Sequence, residues 1–168
     1  GDSKIYATTV INGKKLKSEE YSLDVGASDI NISFEDAINN QSNAQAQLEE
    51  VKSQLNGLLN NYAVALTEAI NTNDFSLIDV YLTYGSELYK QQQLNVPGSY
   101  AEGSEESLVS ASVTSSNISE DTQSGSITTT ETYNFVTIDG NSSTKTYNHV
   151  YKFKYNSDIS SYQFTNRL

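Results

Sequence analysis

The stretch that most constrains this chain is Gln47 to Asn71, QLEEVKSQLNGLLNNYAVALTEAIN. Leu48, Val51, Leu55, Leu58, Tyr62, Ala65 and Ala69 recur at alternating three- and four-residue steps. At 3.6 residues per turn they form one apolar stripe along a helix of about seven turns. Leu59, Leu66 and Ile70 widen the stripe, so a broad surface must cover it. The second half of the chain, rich in strand-forming runs, is the expected cover.

Before the stripe, Lys4 to Ile11 is rich in strand formers, and Asn12-Gly13 is a strong hairpin signal. Lys14 to Val25 then reads as the return strand, with Tyr21, Leu23 and Val25 on one face. Asp29 to Phe34 offers a third short strand. So few strands are marginal alone. The favoured reading makes residues 1–34 the tail of a preceding domain; the other packs them on the remainder of the chain. Residues 35–46 are polar and low in complexity, either a linker or a helical lead-in. The helix is expected from about Asn43, with Glu35 as the earlier start.

After the stripe, Asn71 to Asp74 reads as a turn in which Asp74 caps the next helix. Phe75 to Thr83 reads as a short second helix, and Ser86 caps a third over Glu87 to Gln93. Pro97-Gly98 closes the helical half. Ala101 to Asp121 carries Glu102, Glu105, Glu106, Glu120 and Asp121 without a base, and reads as a solvated acidic loop that gives way to a strand only at Ser107 to Val113. Further strands are expected over Gln123 to Ile138, Ser143 to Tyr155 and Ser161 to Asn166, with a turn at Asp139-Gly140-Asn141. Tyr147, His149, Tyr151, Phe153 and Tyr155 alternate onto one face, as in a sheet that covers helices on one side. The expected architecture of residues 47–168 is therefore α+β: three helices packed on a curved antiparallel sheet, a cone.

Composition narrows function by exclusion. The net charge of -11 argues against nucleic acid, which needs a basic footprint, and against simple adhesion to anionic lipid. There is no cysteine, hence no disulfide framework or thiol chemistry. The Asn-x-Ser sequons at Asn31, Asn40, Asn117 and Asn141 are expected by chance in a chain so rich in Asn and Ser. No run of about twenty apolar residues is present to span a membrane as a helix. Methionine is absent and the chain opens on Gly1, so an excised fragment is expected.

From Leu58 onward the chain resembles an NTF2-like domain. More narrowly, it is similar to the C-terminal domain of the TcaA family of Gram-positive membrane proteins, the teicoplanin-resistance-associated proteins and their YvbJ-like relatives. The residues that carry the resemblance are LTEAINTNDFSLIDVYLTYGSELYKQQQ, Leu66 to Gln93, continued by TETYNF (Thr130 to Phe135) and TKTYNHVYKFKY (Thr144 to Tyr155). The resemblance implies a modular cell-envelope protein, anchored by a membrane helix outside these residues and displaying extracellular domains. It implies a role in envelope homeostasis and the response to glycopeptide antibiotics, and it names no ligand.

NTF2-like cones hold enzymes in ketosteroid isomerase-like and dehydratase relatives, where an Asp or His base works with Tyr or acid groups. His149, the single histidine, lies in phase with Tyr147 and Tyr151. Glu131 on the adjacent strand is the candidate acid, although an exposed sheet position suits it better. Asp74 is accounted for by its capping role. No phosphate loop and no metal-ligand spacing is present, and no cofactor is expected. The sequence therefore points to a non-catalytic extracellular domain that binds a wall component or a partner protein. Tyr147, His149, Tyr151 and Glu131 are its candidate binding residues. The alternative is a small-molecule enzyme or ligand binder using the cone pocket. A third reading is assembly, with a homodimer formed through an exposed sheet face or by pairing of the stripe between chains.

Overall fold

The computed structural model describes residues 3–5, 8–11, 14–18, 21–23 and 34–168. The chain divides into two compact units, Gly1–Ser42 and Asn43–Leu168. In the first unit β2 (Thr8–Ile11) pairs antiparallel with β3 (Lys14–Lys17), with Ile11 opposite Lys14. The turn expected at Asn12-Gly13 lies outside the described residues. β1 (Ser3–Ile5) pairs with β4 (Tyr21–Leu23) in a separate two-stranded sheet. The strand expected from Lys4 to Ile11 and its return strand are described only over these four segments, which pair in the expected antiparallel sense. The third strand expected at Asp29 to Phe34 falls outside the described residues up to its last position, and Phe34 itself opens a helix.

That helix, α1, runs Phe34–Thr72 and takes in the polar lead-in as well as the apolar stripe. No proline interrupts it. From Val51 onward the stripe is buried in its own chain: Leu55, Leu59, Tyr62 and Ala69 are fully enclosed. These side chains are therefore not available to pair with a second copy. The helix ends at Asn73, which adopts the left-handed conformation (φ 56°) that Asn tolerates better than most residues. The Asp74 amide then donates to the Ala69 carbonyl at 2.9 Å.

Asp74 stands one residue before the N-cap position, Phe75, and its carboxylate reaches the first helical residue, accepting from the Ser76 amide at 3.0 Å and hydroxyl at 2.6 Å. The helix it opens, α2 (Ser76–Asp79), is one turn long rather than running to Thr83. A competing partner explains the difference. Tyr81 and Thr83 bond instead to the backbone of Phe164 (2.9 Å each), so Leu82 lies along a sheet edge. α3 (Glu87–Ala101) is capped by the Ser86 hydroxyl, which accepts from the Tyr89 amide at 3.2 Å. It passes through Pro97, beyond its expected end. Buried Leu88, Gln92 and Val96 hold it to the core while Pro97 faces solvent. The helix tolerates the loss of one hydrogen bond there.

The sheet is an antiparallel meander in the order β5 (Glu105–Ile118), β6 (Ser124–Val136), β7 (Ser142–Asn156), β8 (Ser161–Arg167). The acidic stretch departs from its sequence expectation. Its middle is a fourteen-residue edge strand that contains the one expected at Ser107 to Val113 and extends it at both ends. Glu102, Glu105, Glu120 and Asp121 remain solvated, but the Ser- and Thr-rich run between them pairs along the length of β6. Two register shifts in β5, at Leu108/Ser110 and Val113/Ser115, curl the sheet. Its inner face closes over α1: Ile127, Tyr151, Phe153 and Phe164 join Leu55, Leu59 and Tyr62 in one core. Asn43–Leu168 is thus the α+β cone expected from the sequence.

Candidate functional site

Between α1, α3 and the inner face of the sheet lies a cleft of about 230 Å3. Leu66 and Ile70 of α1 form one wall and Asn95 and Ser99 of α3 another. The floor is made by alternate residues of adjacent strands, including Glu131, Tyr147 and His149. Period-two geometry explains the gathering. Glu131 lies directly opposite Tyr147, and Thr129 directly opposite His149.

The expectation that Glu131 is exposed is overturned: it is 1% exposed. It shares the inward phase of Ile127, Thr129 and Tyr133, and burial is tolerated because both its oxygens are hydrogen-bonded. Oε1 accepts from the Thr129 hydroxyl at 2.6 Å. Oε2 accepts from the Tyr133 hydroxyl at 2.7 Å and the Tyr151 hydroxyl at 3.3 Å. Burial and the Glu131 charge raise Tyr133 and Tyr151 above the usual phenol range, so both remain donors. Glu131 is thus a fixed acceptor, held from two strands by three hydroxyls.

Tyr147 and His149 stack with ring centroids 5.9 Å apart and planes at 10°, and Tyr133 leans on Tyr147 at 6.3 Å. His149 meets Tyr151 edge-on. Burial, and secondarily the Arg167 charge, lower the His149 pKa below its ordinary value against the pull of Glu131, so the imidazole is neutral at neutral pH. Of the four candidate residues, Glu131, Tyr147 and His149 line the cleft. Tyr151 is fully buried behind it, tied to Glu131.

Sequence reasoning missed Arg167 and Glu106, which line the same cleft. Strict alternation from Tyr162 and Phe164 would turn Arg167 outward. The structure inserts a bulge: Phe153 faces Phe164, but Lys152 faces Asn166 and Tyr151 faces Arg167. Thr165 is the extra residue, and it switches Arg167 to the inner face. Burial opposes the guanidinium charge, while Tyr151, Tyr62 and Glu131 support it. Arg167 forms no direct ion pair with another described residue, unlike Lys52, which pairs with Glu49 at 2.8 Å. Glu106, half-buried, is held above the usual carboxylate range by burial and by Glu102, with Lys145 pulling the other way.

Among the described residues no group of three or more His, Asp or Glu side chains is placed to hold a metal ion. No helix of those residues is long and apolar enough to cross a membrane.

No curated protein matches the chain in sequence. Its structure is similar to the crystal structure of the intermembrane space region of chloroplast protein ARC6, with a TM-score of 0.56. That match covers 67% of this chain and 90% of the other at 13% identity, a likeness of fold alone. The family model described as the TcaA protein NTF2-like domain matches residues 51–166, the span that contains the buried stripe, the sheet and most of the cleft. The chain therefore belongs to the TcaA family and carries its NTF2-like domain.

Proposed function

We propose that this domain is a non-catalytic, extracellular ligand-binding module of a membrane-anchored cell-envelope protein. Its cleft takes an anionic group presented by a wall component or by a partner protein, in the course of envelope stress or the glycopeptide response. Family membership fits a membrane-associated envelope protein. The observation that carries the binding reading is Arg167, turned inward by a one-residue bulge into a polar cleft and given no ion-pair partner there among the described residues. A half-buried guanidinium is a ready partner for a carboxylate or phosphate. The stacked Tyr147 and His149 rings beside it offer an amphipathic platform.

A non-catalytic role is favoured over an enzymatic one by the state of Glu131. A general base needs a carboxylate free to take a proton. Three hydroxyls already donate to this one. The test is a chemical-shift titration of the chain with muropeptides, teichoic acid fragments and a glycopeptide. Saturable shifts centred on Tyr147, His149 and Arg167, lost in Arg167→Gln, are expected with one of the three. Silence with all three would remove the wall-component reading and leave a protein partner. Shifts unaffected by Arg167→Gln would overturn the role given to the cleft.

A further inference from the structure

A second concavity of about 580 Å3 shares no lining residue with the cleft. It lies between the turn after α2, the first turn of α3 and the β7–β8 connection. Its walls are tyrosines held from behind. Tyr84 is 86% exposed, an unusual position for so large a ring. Tyr84 rests edge-on against Tyr89 at 5.2 Å, and Tyr89 rests edge-on against Phe75 at 5.0 Å. Gly85, with φ 70°, makes the turn that displays Tyr84 just before the Ser86 cap. Across the groove Tyr155 is braced by Tyr162 at 5.2 Å.

The floor is polar and fixed. Gln163 Nε2 donates to the Val80 carbonyl at 2.8 Å, and its Oε1 accepts from Asn156 Nδ2 at 2.9 Å. Asn156 Oδ1 accepts in turn from the Asp158 amide at 3.0 Å. The Asp79 and Asp158 carboxylates stand exposed at the rim. With Lys154 they leave the groove net negative, and no guanidinium lines it.

We propose that this groove binds an uncharged oligosaccharide. A pyranose has apolar ring faces and a rim of hydroxyls. It matches preplaced, amphipathic tyrosine rings that lose little entropy on binding, flanked by carboxylate acceptors for the hydroxyls. The negative rim excludes phosphate- or sulfate-bearing polymers. Tyr84 is not part of the buried core, so burial does not account for its ring.

The test is titration of the full chain with tetra-N-acetylchitotetraose and with cellotetraose, followed by amide shifts and tyrosine fluorescence. Saturable changes are expected over residues 79–89 and 154–163 with at least one of the two sugars. Tyr84→Ala, a surface change, should weaken binding at least about tenfold while its spectrum elsewhere stays that of the wild type. Arg167→Gln should leave sugar affinity unchanged, so the groove and the cleft succeed or fail separately. No saturable change with either sugar at millimolar concentration, or wild-type affinity in Tyr84→Ala, overturns the proposal.

Discussion

The Glu131 cluster permits a quantitative test. Tyr133 is 6% exposed and donates to the Glu131 carboxylate at 2.7 Å. A hydrogen bond to a charged partner is worth about 1.5–3 kcal/mol net, and one between neutral groups about 0.5–1.5. Tyr133→Phe in the wild-type background should therefore cost about 2 kcal/mol. In Glu131→Gln, whose side chain offers one neutral acceptor, the same change should cost about 1 kcal/mol or less. The coupling between the two positions is then about 1–2 kcal/mol. Urea denaturation of the four proteins, read by far-UV circular dichroism, measures it, and equal m values are required for the comparison. Independent sites add within roughly 0.3–0.5 kcal/mol. A coupling inside that margin would refute the reading of Glu131 as an anchored acceptor. Glu131→Leu adds a second arm. It strands the Thr129, Tyr133 and Tyr151 hydroxyls and should cost about 3–5 kcal/mol, the range for breaking a buried charged cluster from one side.

Other perturbations separate backbone from side-chain terms. Pro97 lies inside α3 with its ring in solvent, so Pro97→Ala restores a hydrogen bond to the Gln93 carbonyl without loss of packing. After the unfolded-state entropy that proline removes, a gain of about 1–2 kcal/mol is expected in denaturant midpoint, and a loss would contradict the helix geometry. Gly125 leaves no room for a Cβ, which would overlap the Asn117 carbonyl and approach Phe153 Cζ to 2.8 Å. Gly125→Ala should cost about 2 kcal/mol or more and blur the β5–β6 amide pattern in hydrogen exchange. Glu106 has its folded pKa raised, so the folded state holds that proton more tightly than the unfolded chain. Stability then falls as pH rises from the ordinary carboxylate range through the raised value, and stays lower above it. Glu106→Gln should recover a few tenths of a kcal/mol at neutral pH, a size set by screening at a half-exposed site, and nothing in acid. Parallel thermal melts at the two pH values check the sign.

The parts of this fold legible in the sequence are those governed by one dominant period. The α1 stripe repeats at helical spacing, and β6 and β7 alternate strictly, so both are readable with their faces. Sequence and structure diverge where a distant partner decides the outcome. Phe75 to Thr83 has helical composition, but the Phe164 backbone claims Tyr81 and Thr83. β5 resembles a loop outside Ser107 to Val113 because its Ser and Thr residues carry little hydrophobic contrast. They pair because β6 offers a ladder. In the cleft, Tyr147 and His149 are visible by phase alone. The burial of Glu131 depends on three hydroxyls from two strands. Arg167 is invisible because one bulged residue, Thr165, inverts the parity on which every strand argument rests.

β8 has a consequence for how the domain comes into being. Within five positions it supplies Gln163 to the groove, Phe164 to the core and Arg167 to the cleft. Its tethers reach far back along the chain: Gln163 to Val80 across 83 positions and Asn166 to Glu87 across 79. Such closures repay their entropy only after most other contacts exist. During synthesis the helices and the first three strands of the sheet emerge before β8, and the rings of Tyr62 and Tyr151 wait uncovered until Phe164 arrives. The last strand of the domain to leave the ribosome thus completes the hydrophobic interior, the cleft and the groove in a single docking event, and a chain that lacks it has none of the three complete.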